Sequence, residues 1–237
     1  MALYDRDYAN EQVKNEELGQ VQSKSALSLF IKKTYQLFAA SLLAGSVGAY
    51  VGLDYAYEIA SFGLWALLPW IGTLIALHFA KRVNGLNYVL LFAFTLMGGL
   101  IIAPVIASYL SMGAGQIVVN AFILTTVAFG GLSIFAMNTK INFSGLGKFL
   151  FIALLVLIAA SVLHLVMAAF GMASSLFYTF ISAAGAIIFS IYILYDTQNI
   201  IKGAYETPIE GAIALYLDFL NLFLYLLRLL GIFSSDD

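Results

Sequence analysis

Cysteine is absent from the chain, so a disulfide framework, a thiol nucleophile and a thiolate metal site are all excluded, and the redox compartment leaves no trace. Charge is nearly as scarce: Asp, Glu, Lys and Arg make up 10% of the residues, against about 25% in an ordinary soluble domain. The net charge of −2 and a pI near 5.6 leave no basic surface suited to nucleic acid. What remains is apolar. Hydrophobic residues account for 62% of the chain, aromatics for 15%, and the mean hydropathy is +0.95. This is the balance of a polytopic membrane protein.

Residues 1–28, MALYDRDYANEQVKNEELGQVQSKSALS, are polar and carry both signs of charge, with no short apolar region leading to a small-residue cleavage site. A solvated cytoplasmic tail without a cleaved signal peptide is expected there, followed by a single transmembrane domain over 29–237. A bilayer core about 30 Å thick takes about 20 apolar residues of helix. Seven such runs lie near 31–53, 60–80, 86–110, 116–137, 146–170, 174–199 and 208–232. They are too long and too uniformly apolar for barrel strands, so the expected fold is all-α with seven transmembrane helices.

Lys and Arg set the direction. Arg6, Lys14, Lys24, Lys32 and Lys33 precede or open the first run; Lys81 and Arg82 follow the second, Lys140 and Lys148 flank the loop after the fourth, and Lys202 follows the sixth. The connections after the first, third and fifth runs contain neither residue type. This positive-inside pattern predicts a multi-pass protein of the cell (inner) membrane with a cytoplasmic N-terminus. With seven crossings the terminal SSDD lies outside; were the last run re-entrant it would lie inside, and Arg228 fits either case.

Small residues are expected at the helix contacts: Gly45 with Gly48, Gly98 with Gly99, and the row Ser182, Ala186, Ser190. Pro104 frees a backbone carbonyl inside the third run and predicts a kink. Neither an internal repeat nor the paired broken helices of inverted-repeat transporters is evident.

Two carboxylates lie well inside the runs, Asp196 in ILYDTQ and Asp218 in LYLDFLNLF. Between them, Thr207-Pro208-Ile209-Glu210 reads as a helix start, with Thr207 as N-cap, Pro208 at the first position and Glu210 closing a capping box. Each aspartate is eleven residues from Thr207, or about 16 Å of helix at 1.5 Å per residue. An antiparallel hairpin would bring both to one depth in the cytoplasmic half. Central placement costs about 2.5 to 3.5 kcal/mol per Asp even on lenient insertion scales. Two carboxylates facing each other away from water cannot readily both ionise, so they titrate as a unit, which is the chemistry of a proton sensor. Asn221 shares the helix face of Asp218 and offers an amide partner. Two carboxylates fall short of the 6 to 8 oxygens of a tight calcium site, so any calcium coordination by Asp196 and Asp218 would be weak and transient.

FSIYILYDTQNI followed by ALYLDFLNLFLYLLRLLGIFSSDD resembles the signature end of the transmembrane Bax inhibitor motif family, close to its bacterial pH-sensitive calcium-leak members. The similarity runs from KKTYQLFAASLLAG through GGLIIAPVIASY to the end. The resemblance implies a seven-helix fold with the last helix central, surrounded by the other six. It also implies a pH-dependent calcium leak with calcium as the permeant species, and a gating pair that maps onto Asp196 and Asp218. An arginine after the second helix would pair with the first aspartate in the shut state; in HFAKRVNG this role falls to Arg82 or Lys81. A membrane glutamate of some relatives has no counterpart in LWALLPWIGTLIAL.

The expected partners are the lipid bilayer, calcium and protons, with no nucleic acid and no organic cofactor. Other bacterial relatives restrain a membrane-anchored quality-control protease, which makes a regulator without transport activity the alternative reading. An intramembrane aspartyl protease would need Gly-x-Gly-Asp where the chain has LYLD. His78 and His164 stand alone on apolar runs, without HExxH or a second ligand, and are expected at the interface and in an interhelical hydrogen bond respectively. Trp65 and Trp70 are expected in the interface belt and in packing. GxSxG, phosphate-loop and dinucleotide motifs are missing, so no enzymatic activity is expected.

Overall fold

The computed structural model describes the backbone of residues 4–234 and the side chains of 22–234. Most of the side chains of the expected tail, and residues 235–237 of the SSDD end, therefore lie outside the described residues. All regular structure in the described residues is helical: α1 Tyr4–Leu53, α2 Ala56–Ser61, α3 Leu67–Ala80, α4 Leu86–Ser111, α5 Gly115–Asn138, α6 Gly147–Ala169, α7 Ser175–Ile201 and α8 Pro208–Ser234. Short 3-10 turns at Gly63–Ala66 and Ser144–Leu146 precede α3 and α6. Seven segments are long and apolar enough to cross a membrane: Gln22–Leu53, Gly63–Ala80, Leu86–Ser111, Gly115–Asn138, Ser144–Ala169, Ser175–Ile201 and Pro208–Ser234. The protein is a multi-pass, all-helical membrane protein whose outer faces contact the lipid bilayer.

Two boundaries differ from the sequence expectation. The first helix does not begin at the apolar run; it starts at Tyr4 and continues unbroken into the first span. The second span is not continuous from residue 60, because Gly63 adopts φ +54, a left-handed conformation that only glycine takes without strain. The chain breaks there into α2, a 3-10 turn and α3. The last span holds as a single helix of 27 residues, about 40 Å at 1.5 Å per residue, which is long enough to cross rather than re-enter.

Packing follows the small residues. Helices α1 and α4 form the closest pair: a Cβ on Gly48 would run into the backbone carbonyl of Leu96, and one on Gly99 into that of Gly45. Gly45 and Gly98 instead make room for the ring of Tyr216, whose hydroxyl donates to the Thr95 carbonyl oxygen at 2.8 Å. In the row on α7, Ser182 and Ser190 bond back to Tyr178 and Ala186, while the close approach falls at Gly185, against the Tyr225 ring. Pro104 lies inside α4, which continues through it to Ser111. Trp65 is exposed; Trp70 stacks on Phe94 at 5.2 Å and donates to its carbonyl oxygen at 3.0 Å.

Half of the last span is buried, more than of any other. It packs against α1, α4, α5 and α7, while α3 packs mainly on α4 and α6 on α7. A cluster of Phe38, Phe122, Phe129 and Phe219, with paired ring centroids 4.7 to 6.2 Å apart, joins α1, α5 and α8 beside a cavity of about 320 Å³.

Candidate functional site: a buried aspartate pair

The α7–α8 hairpin is built by its loop. At the end of α7, Gly203 takes φ +67 and Ala204 donates its N–H back to the Asn199 carbonyl oxygen at 2.8 Å, closing the helix as a left-handed cap. Helix α8 opens with the expected reciprocal cap: the N–H of Glu210 reaches Thr207 Oγ1 at 3.3 Å, and Glu210 Oε2 accepts from the N–H groups of Glu206 and Thr207 at 3.0 and 3.2 Å. Caps on both sides fix how the two helices pair.

Asp196 on α7 and Asp218 on α8 consequently face each other within hydrogen-bonding reach. Both are buried, 6% and 3% exposed. Tyr205, on the connecting loop, folds back and donates its hydroxyl to Asp196 Oδ1 at 2.6 Å. Burial, and then the charge of Asp196, push the Tyr205 hydroxyl well above the ordinary tyrosine range, so it keeps its proton and stays a donor. Asp218 is less well supplied: its Oδ2 is buried with no hydrogen-bond donor among the described residues. Two ionised carboxylates offer each other only acceptors, and an unpaired buried acceptor costs about 1 to 3 kcal/mol, more if charged. A proton on either carboxyl would supply the missing donor.

The residues expected to assist the pair are engaged elsewhere. Asn221 donates to the Leu217 carbonyl oxygen in its own helix, at 2.7 Å, rather than to Asp218. Lys81 and Arg82 do not pair with Asp196. Lys81 Nζ bridges Glu206 at 2.9 Å and Glu210 at 2.7 Å, and Arg82 Nη2 meets Glu206 at 2.8 Å. Lys81 and Glu210 are mostly covered, at 19% and 23% side-chain exposure, whereas Arg82 is 74% exposed. Hydrogen bonds to Glu210 and then to Glu206 hold the Lys81 ammonium above the usual lysine range; those that Glu206 accepts from Lys81 and then Arg82 hold its carboxyl below the usual glutamate range. The cluster ties the start of α8 to the end of α3.

Around Asp196 the sequence TQ is equally committed. Gln198 Nε2 donates to the Ile141 carbonyl oxygen at 2.7 Å, and its Oε1 accepts from the N–H groups of Phe143 and Ser144 at 2.7 and 3.2 Å. It thereby staples the α5–α6 connection to α7, a role signalled only by the burial cost of a glutamine beside a buried aspartate. Thr197 lies between Tyr35 of α1 and Ser133 of α5, with oxygen separations of 3.5 and 3.4 Å. His164 makes no interhelical hydrogen bond; its buried Nδ1 lacks a partner among the described residues and its ring stacks on Tyr178 at 5.0 Å. His78 is exposed near the end of α3, edge-on to Phe79. No cluster of three or more His, Cys, Asp and Glu suited to a metal occurs among the described residues.

Comparison with known proteins gives the family. The chain is 54% identical to an uncharacterized protein of Campylobacter jejuni, covering 99% of this chain and all of that one. It is 30% identical to Bax inhibitor 1 of Schizosaccharomyces pombe, over 91% of this chain and 80% of the yeast protein. It is 31% identical to protein lifeguard 4 of Mus musculus, over 85% and 84% of the two chains. The family described as inhibitor of apoptosis-promoting Bax1 matches residues 27–235, which takes in most of the first span, the six that follow it and both aspartates. The chain belongs to the Bax inhibitor-1 family.

Proposed function

We propose that the protein is a pH-gated calcium leak channel of the cell (inner) membrane, with its N-terminus in the cytoplasm and Asp196 and Asp218 as proton sensor and gate. The observation that carries this reading is the facing of two buried carboxylates across α7 and α8, one of them short of a donor that a single proton would supply.

With one proton shared, the pair holds α7 and α8 together. Loss of that proton leaves two negative charges in a site with little water, where their repulsion is strong. Either the helices part or a cation enters between them. Two carboxylates give a divalent ion only part of its coordination shell, so calcium would bind weakly and pass on. The burial of both carboxylates and the Tyr205 hydroxyl over Asp196 fit a shut pathway.

The test is calcium entry into dye-loaded proteoliposomes across a pH series. Flux is expected to fall on acidification with a definite midpoint, and Asp218→Asn and Asp196→Asn each to abolish that dependence. A flux indifferent both to pH and to Asp218→Asn refutes the reading.

A second reading, a regulator of a membrane-anchored quality-control protease, is favoured by the extension of α1 back to Tyr4, well beyond the first span, which offers a helical surface outside the bilayer. Recovery of a protease with the full chain from native membranes, lost when residues 4–21 are replaced, would support it; recovery of none refutes it.

A further inference from the structure

The loop joining α7 and α8 touches both the aspartate pair and the ion-pair cluster. Tyr205 and Glu206 are neighbours in sequence and face opposite ways. The Tyr205 hydroxyl lies 2.6 Å from Asp196 Oδ1, and the Glu206 carboxylate lies 2.9 Å from Lys81 and 2.8 Å from Arg82. Glu210 completes the frame by accepting from the N–H of Glu206 while holding Lys81. Tyr205 and Glu206 therefore hold the loop at two points, one inside the bundle and one at its basic end, while Lys202 ties its start to Asn142 and Ser144.

We propose that Tyr205 is a positioning residue of the carboxylate site: its hydroxyl orients Asp196 as an acceptor, and the loop that carries it ties this contact to the Lys81–Glu206–Glu210 cluster. The proposal deepens the proton-sensor reading and rests on it. A hydroxyl donor favours the charged form of the acceptor it meets, so its presence sets where in pH the pair takes up its proton. The groups that face this point are Asp218 from α8, Tyr192 and Tyr195 from α7, and Tyr205 from the loop. From α1, Tyr35 turns to Thr197 instead. Tyr205 is the member of this set that bonds Asp196 from outside both helices, so displacing the loop withdraws it without unwinding either one.

The experiment is an infrared titration of the protonated-carboxyl stretch in the full chain reconstituted in lipid, assigned by its loss in Asp196→Asn. Tyr205→Phe keeps the ring and removes only the donor. Its midpoint is expected to move about one pH unit toward higher pH, a tenfold change in proton affinity. Lys81→Gln is expected to move the midpoint the same way, and to add nothing when Phe already replaces Tyr205. An unmoved midpoint in Tyr205→Phe overturns the positioning role, and additive effects of the two substitutions overturn the link through the loop. Calcium flux measured in parallel separates this failure from that of the channel reading: a wild-type protein without flux but with a Tyr205-dependent titration refutes the channel and keeps the positioning role.

Discussion

Replacing Gln198 by Leu tests whether the surroundings of Asp196 are held by side-chain bonds to backbone. The substitution puts an apolar side chain of similar volume in a position only 3% exposed. It removes the two short bonds, to the Ile141 carbonyl oxygen and from the Phe143 N–H, both at 2.7 Å, and two longer ones, from the Ser144 N–H at 3.2 Å and to the Ala136 carbonyl oxygen at 3.4 Å. Each short bond contributes about 1 kcal/mol net, and a partner left without water costs about 1 to 3 kcal/mol more. The loop is partly exposed, so water recovers some of that penalty, and the expected loss is about 2 to 3 kcal/mol. For a chain of this size that corresponds to a fall in Tm of roughly 4 to 12 °C. Thermal unfolding in detergent measures the fall, and hydrogen exchange should show faster exchange at Phe143 and Ser144 with the centre of α8 unchanged. A Tm within a degree of wild type, with those amides still protected, would refute the idea that Gln198 staples the α5–α6 connection.

Gly99→Val should separate α1 from α4, because the Gly45 backbone against it cannot yield as a side-chain end would; a loss of about 3 kcal/mol or more is expected, read as a lower Tm. Ala at Gly130, which has open space around its Cβ position, is the control and should leave Tm nearly unchanged. For the ion-pair cluster, Lys81→Gln should lower Tm more than Arg82→Gln, since Arg82 is largely exposed and screened. The stabilisation by Glu206 is complete above the ordinary glutamate range and is lost as pH falls through its lowered value; that by Lys81 is complete below the ordinary lysine range and is lost as pH rises through its raised value. The Tm difference between wild type and Lys81→Gln should therefore stay flat from about pH 6 to 9. A difference that vanishes within that window would contradict the assignment.

The spanning helices were legible because hydrocarbon demands long apolar runs, and five of the seven spans keep close to the expected bounds, while the first begins early because its polar approach is already helical. The exception near Gly63 is a backbone event: hydropathy does not register a left-handed residue inside an apolar run. The start of α8 was legible because Thr207, Pro208 and Glu210 each suit one cap position. The facing of Asp196 and Asp218 could be expected from equal spacing about that cap. Partner choice was not legible. Lys81 has Glu206 and Glu210 within the same end of the bundle, and spacing along the chain does not rank them against Asp196. Asn221 finds an acceptor one turn back in its own helix, which competes with any partner across the hairpin. Tyr205 escaped notice because its contact depends on how a six-residue connection folds back, which neither periodicity nor composition encodes.

The order of synthesis gives the burial of α8 another consequence. The most buried of the spanning helices is made after α1, α4, α5 and α7, the helices it packs against. Until it arrives, Asp196 lacks Asp218 across the hairpin, whereas Thr197 and Gln198 already have their partners on earlier segments, and a half-made chain must carry the Asp196 carboxyl in the insertion machinery or against lipid. Biogenesis, more than the finished fold, is then the stage at which a defect in Pro208–Ser234 would be most damaging, and the stage at which cellular surveillance of membrane insertion would meet it first.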